Sequence, residues 1–358
     1  MLGLDRRAAR YAWTVVVIVL LVGLVYVVRT TLFVFTLALL FAHLLSPLVN
    51  FLDRVLPSSR TRTPALGLTY VILVAVLTLI GIQIGTRVVE EAGNLSQRLP
   101  QMLDQFQKPR PVPTAPLLRS LKEQILVRAQ TEIASRSSDI LGALSRAGLK
   151  ALTVASNLIY VVIIPIVAFF FLKDGHLISD NLLDLIEDPQ RRALVAEVLA
   201  EAHQLLTRYI RALVLLSLAA FTAYSIFFEI AGLAYAILLA ALAALLEFIP
   251  MLGPLAADVV ILVVAGVSGG PVLTILIFLL VYRLFQDYVL SPFFMGHGVE
   301  LHPLLVLFGV FAGAEVAGIP GTFLSIPVLA LARILFLRLR KARLEAQLAS
   351  VPATSLRS

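Results

Sequence analysis

Apolar residues run through this chain in long blocks, separated by short stretches rich in arginine. Six blocks of about 20 residues are each long enough to cross a hydrocarbon core of ~30 Å as a helix. They are Ala12–Val28, Thr31–Phe51, Ala65–Ile84, Leu152–Leu172, Ala212–Ile230 and Pro271–Leu290. Two further blocks, Leu233–Val267 and Pro303–Leu337, are longer. Each holds about 35 residues and as one straight helix would measure roughly 50 Å, so each must break. Pro250 with Gly253-Pro254 supplies the break in the first, and Gly318 with Pro320-Gly321 in the second, because proline lacks the backbone donor and clashes with the preceding turn. Each block either returns as a re-entrant hairpin with its tip near mid-membrane or crosses as a kinked helix. The pattern thus predicts an all-α polytopic membrane protein with six full spans plus two re-entrant hairpins, or eight spans. Length favours the hairpins; the plainer alternative is two kinked helices packed in a bundle, where Pro and Gly are common.

Between the third and fourth spans the spacing changes. Val88, Ala92, Leu95, Leu99, Met102 and Phe106 alternate steps of four and three, a coiled-coil-like seam interrupted by Pro100. The proline-rich run Lys108–Pro116 stops it, and Leu118, Leu121, Ile125, Ile140 and Leu144 resume similar spacing. This predicts an outward helical hairpin over 87–150, packed within the chain or between protomers. Asp188-Pro189 reads as an N-cap followed by proline at the first helical position. Leu194, Val198, Leu205 and Tyr209 then give an apolar face that continues into the Ala212 span. The resulting division is 1–86 for the first spans, 87–150 for the outward hairpin, 151–211 for the fourth span with its amphipathic helix, 212–337 for a transport core and 338–358 for a basic tail.

Composition narrows the class. Of 358 residues 59% are hydrophobic and 14% charged, with a mean hydropathy of +0.95, against a charged share of about 25% in soluble domains. The net charge of +7 is dispersed over segment ends without interleaved aromatics, which points to lipid headgroups and away from nucleic acid. The absence of cysteine removes disulfides and thiolate chemistry. Arg6, Arg7 and Arg10 precede the first span, but Arg29 and a second apolar block follow it directly, so it reads as retained and not as a signal peptide. Basic residues in the short loops, together with Arg338, Arg340, Lys341 and Arg343, place both termini on the cytoplasmic side. That tail reads as an anionic-lipid anchor.

The candidate chemistry lies in the apolar blocks. A charged side chain at the bilayer centre costs about 2.5 to 3.5 kcal/mol on insertion scales, so intramembrane charges are functional candidates. Glu247 and Asp258 flank the first break, Glu315 lies near the second, and Arg283 and Asp287 stand four apart on one helix face. The last two either neutralise each other, or Asp287 joins Glu247 and Asp258 to bind a proton, a cation or a polar solute. Paired Gly/Pro-interrupted segments point to a transporter binding site. Glu229 falls near a span end, and the five histidines are scattered without zinc-ligand spacing. Gly266-Val267-Ser268-Gly269 matches the GxSG of intramembrane serine proteases, but it falls at a short connection before Pro271 where small residues are expected. The chain is read as a non-enzyme without cofactor or metal, and no G-x-x-x-x-G-K-[ST] loop for ATP occurs.

Pro165–Gly175, ending in Leu172-Lys173-Asp174-Gly175, resembles the LKDG-terminated span of the autoinducer-2 exporter (AI-2E) family. Ile249-Pro250-Met251-Leu252-Gly253-Pro254 is similar to its IPxxGP motif. Pro292 through Gly296, Leu301-His302-Pro303, Gly313, Gly318, Gly321 and Pro327 are similar to its C-terminal signature. The resemblance implies a secondary transporter of the bacterial inner membrane, exporting a small polar solute such as autoinducer-2 or exchanging Na+ (Li+) for H+, and a homo-oligomer such as a pentamer. The competing class is a non-transporting oligomeric scaffold. The matched residues shape backbone, so they argue for a shared scaffold more than for a shared substrate.

Overall fold

In the computed structural model, residues 6–56, 63–106, 158–295 and 301–349 are described, and they are helical with no strand among them. In a medium without water every backbone amide must be satisfied within its own segment, and a helix does that. The chain divides into two compact units, Met1–Leu66 with Asn157–Leu182, and Gly67–Ser156 with Leu183–Ser358.

The first unit contains α1 (Arg6–Val27), α2 (Arg29–Val55) and most of α5 (Leu158–Asp184). From Tyr11 to Val27 the apolar side chains of α1 are exposed on every side, the pattern of a helix whose solvent is lipid. α2 and α5 meet through Ala38, Ala42 and Ala168, with Phe35 edge-on to Phe171 at 6.2 Å; small residues let membrane helices approach closely. The ring of His43 bonds the Leu39 carbonyl at 2.7 Å, a structural use of a buried histidine. The fourth predicted span begins outside the described residues, and its described part opens α5. Lys173, Asp174 and Gly175 lie within α5, which bends by 63° between Val162–Gly175 and Leu177–Asp184.

α3 (Thr63–Ile80) enters the second unit at Gly67 and continues through a π-turn, Gly81–Gly85, into α4 (Thr86–Phe106). The helix carries through Pro100, and Leu95 of the predicted seam is buried. The rest of the predicted outward hairpin lies outside the described residues. Asp188 caps α6 (Pro189–Ile230), its Oδ1 accepting from the Gln190 amide at 2.9 Å. As predicted, the amphipathic segment and the Ala212 span are one helix.

The two longer blocks both break. The first is α7 (Ala236–Leu246) and α8 (Leu252–Val267), packed on each other. Both are apolar apart from Asp258 of α8 and bury Leu239, Ala240, Ala243, Ala257, Ile261 and Val264 with Tyr224 and Phe228 of α6. Ile275, Leu279 and Tyr282 of α9 (Val272–Phe285) close that core. α9 continues through a second π-turn, Gln286–Leu290, into the short α10 (Ser291–Met295).

The second is α11 (Pro303–Ala349), interrupted at Gly318 with φ 64° and ψ −142°. A Cβ on Gly313 would overlap the Gly321 carbonyl, and one on Gly309 would overlap Leu329. In a straight helix residues 309 and 329 would stand about 30 Å apart, so the chain doubles back at Gly318. The arms 303–317 and 319–349 form a helical hairpin, in agreement with the hairpin expectation. Arg338, expected in the lipid anchor, differs: its guanidinium pairs with Glu197 and Glu201, one turn apart on α6.

Candidate functional site

Glu247 caps the C-terminus of α7, and the chain turns through Phe248, Ile249, Pro250 and Met251 before α8 begins. The turn is tight. The Leu252 amide donates to the Pro250 carbonyl at 2.7 Å and the Gly253 amide to the Ile249 carbonyl at 3.0 Å. Gly253 is buried where a Cβ would collide with the Leu246 carbonyl, which accounts for a glycine there. Met251 takes φ 62°, a left-handed value that is unusual for a side chain of its size. Pro254 is buried in the first turn of α8.

Glu247 is half-buried, and its carboxylate accepts from the Gln286 side-chain amide. Gln286 is almost fully buried and opens the second π-turn; such turns recur at functional positions because they rotate side chains out of helical register. Eleven residues beyond Glu247, Asp258 on α8 is half-buried and accepts from the Tyr224 hydroxyl at 3.4 Å. Tyr224 is ringed edge-on by Phe228, Phe278 and Tyr282 at centroid distances of 5.3, 5.4 and 4.9 Å. The Tyr282 hydroxyl is buried without a hydrogen-bond partner among the described residues. The site therefore holds two half-buried carboxylates, each bonded to one neutral donor, with an unused phenol between Tyr224 and the next turn of α9.

The other predicted residues are placed as follows. Arg283 and Asp287 pair with each other, Nε to Oδ2 at 3.3 Å, on the more exposed face beside Gln286. Glu315 is exposed on the first arm of the α11 hairpin. Gly318 is its tip, Pro320 opens the second arm, and Gly321 meets Gly313 backbone to backbone. His302 starts the same hairpin: its Nδ1 accepts from the Leu304 amide at 3.3 Å, with Pro303 at the first helical position. Ser268 of the GxSG run donates to the Ala265 carbonyl at 3.3 Å and terminates α8.

Tyr224, Tyr282 and Gln286 were not singled out in sequence. A signal was present: Ile275, Leu279, Tyr282 and Gln286 step by four, three and four along one face, which is the buried one, while the more conspicuous Arg283 and Asp287 lie on the next. Glu91 was also missed. From α4 its carboxylate accepts the Leu238 amide at 2.8 Å and so caps the N-terminus of α7 from 147 residues away.

Comparison with known proteins finds similar sequences among transport proteins. YueF of Bacillus subtilis (strain 168), provisionally named a transport protein, is 24% identical over 319 residues, 87% of this chain and 85% of that one. YrrI of the same organism, named likewise, is 28% identical over 183 residues, about half of either chain at 51% and 52%. PerM of Escherichia coli (strain K12), provisionally named a permease, is 28% identical over 175 residues, 48% of each chain. The model of the AI-2E family transporters matches residues 15–341. With that match running over nearly its whole length, the chain belongs to the AI-2E family of membrane transporters.

Proposed function

We propose that this transporter works as a secondary carrier of the bacterial inner membrane, both termini cytoplasmic, and that it moves a small polar solute past the break between α7 and α8. The pairing of Glu247 with buried Gln286 beside that break carries the reading. Irregular backbone at membrane depth is tolerated where it is enclosed by protein or lines a cavity, and a carboxylate held there by a neutral amide is left open to a proton or a cation. Asp258 with Tyr224 provides a second such group, and Asp287 a third that Arg283 balances. Autoinducer-2 fits as the exported solute through the family, and exchange of Na+ for H+ uses the same carboxylates. Assembly as a homo-oligomer belongs to the same reading.

Purified protein in proteoliposomes, given a pH gradient, decides it. Autoinducer-2 release and Na+ uptake are followed separately, and the variant Glu247→Gln/Asp258→Asn/Asp287→Asn is compared with the parent. Gradient-driven flux is expected to fall at least tenfold in the variant. Flux that survives all three substitutions removes the carboxylates from the mechanism, and absence of flux of either species in the parent removes both substrates.

A further inference from the structure

The two broken segments meet at their tips. Phe248 follows Glu247 in the α7–α8 turn, and Phe323 stands two residues beyond Gly321 at the start of the second α11 arm. Their rings are 6.1 Å apart between centroids and inclined by 51°. Both are only half-buried, unlike the core aromatics Tyr224 and Phe228.

Chain connectivity sets these tips against each other from opposite ends. The α7–α8 hairpin leads into α9 at Val272, and the α11 hairpin starts at Pro303, after α9, its π-turn and α10 have run from Val272 to Met295. A helical path of that length covers roughly 36 Å, more than a hydrocarbon core of ~30 Å. One hairpin base therefore lies at each end of that crossing, and the tips point inward from both. We propose that Phe248 and Phe323 form a gate: their contact seals the path on the far side of the Glu247–Gln286 pair, and it must part for a solute to pass. The inference rests on the transport reading above.

The mounting of the two rings supports the role. The arms are fixed, the first pair in the core of α6, α8 and α9, the second by the backbone contact of Gly313 with Gly321 and by Arg338 gripping Glu197 and Glu201. Each turn carries a positive-φ residue, Met251 three positions after Phe248 and Gly318 five before Phe323, as do the ends of α6 to α8 at Gly232, Tyr235 and Gly269. A small dihedral change at Met251 moves Phe248 within its turn without unpacking an arm, which is how hinge positions operate, while Phe323, two residues beyond the Gly313–Gly321 contact, stays fixed on its arm. The carboxylate of Glu247 is the immediate neighbour of the gate, so a change at the Glu247–Gln286 bond is transmitted to Phe248 through one peptide unit.

The test uses the full chain in liposomes loaded with pyranine, with a K+ diffusion potential set by valinomycin to drive protons inward. Phe248→Ala/Phe323→Ala is expected to leak protons at least tenfold faster than the parent, while Phe248→Leu/Phe323→Leu, which keeps apolar bulk, stays tight. Phe51→Ala/Phe336→Ala, at two exposed aromatics away from the tips, serves as control. The chain has no cysteine, so Phe248→Cys/Phe323→Cys carries the only two thiols, and a short bis-maleimide is expected to join them within one chain. An alanine double variant as tight as the parent, or two cysteines that label singly and never cross-link, overturns the gate. Failure of the transport reading looks different: the parent then carries no gradient-driven flux, yet removal of the rings still opens the leak.

Discussion

At Gly318 the dihedrals of φ 64° and ψ −142° lie where glycine alone is comfortable, and a side chain there costs about 1 to 3 kcal/mol. Gly318→Ala is therefore expected to lower the melting temperature in detergent, although open space surrounds the position, because the cost is in the backbone and not in a clash. Met251 is the converse. It holds φ 62° with a side chain, so Met251→Gly relieves a strain of roughly 1 kcal/mol, and its melting temperature should rise or hold. Tyr282→Phe separates structure from function most directly. Its hydroxyl is buried without a partner among the described residues, a state that disfavours the fold by about 1 to 3 kcal/mol, so phenylalanine should stabilise the protein. If the phenol meets the solute, flux falls in the same variant; unchanged flux with raised stability makes it a packing residue only. The sequence displayed Glu247, Asp258, Arg283 and Asp287 as charges out of place. It did not display Gln286 as the partner of Glu247, because an amide at a span end has many ordinary uses and only the fold brings residue 286 to residue 247.

Among the elements, α4 and α7 are tied by one bond. Glu91 supplies the acceptor that the α7 N-terminus lacks in its own sequence, since Tyr235 at the cap position makes no side-chain cap. Loss of a cap costs about 1 kcal/mol, so Glu91→Ala should destabilise the protein by that amount, and amide exchange should accelerate first at 236–239. Arg338 acts similarly at the far end of α11. It is held by Glu197 and Glu201 on successive turns of α6, and Arg338→Ala should speed exchange around 194–202 without changing vesicle binding to anionic lipid. A drop in lipid binding instead would return Arg338 to the anchor expected of the basic tail. The helix starts at Asp188-Pro189 and His302-Pro303 were legible, because an N-cap and a proline at the next position act locally. The π-turn at Gln286–Leu290 was not, because nothing in the five residues themselves demands an extra residue per turn; it adjusts Tyr282 and Gln286 to a core made elsewhere.

For the whole molecule the choice between hairpins and kinked spans has a direct readout. Single cysteines at Ile230 and Pro271 flank the α7–α8 hairpin, and at His302 and Arg340 the α11 hairpin, in a chain with no other thiol. With a membrane-impermeant maleimide, Ile230→Cys and Pro271→Cys should label from one face, and His302→Cys and Arg340→Cys from the other. Members of one pair labelling from opposite faces would make that segment a kinked span.

The chain by itself determined that the protein is helical and crosses membranes, where each apolar block lies, and that the two longest must break at their Gly-Pro positions. These follow from hydropathy, length and local backbone sterics, which act over a few residues. It also carried the family through motifs that shape backbone. Only the tertiary structure decided that α11 doubles back instead of kinking, that Glu247 meets Gln286 and Asp258 meets Tyr224, that Arg338 faces α6, and that the two tips present Phe248 to Phe323. The reason is physical: a break tells where the chain can turn, but the turn's direction is set by contacts between residues far apart in sequence. Gly309 against Leu329 and the Ser217 hydroxyl on the Ala244 carbonyl supply such contacts, while Gly313 against Gly321 and Leu246 against Gly253 close the turns at approaches that no side chain would permit.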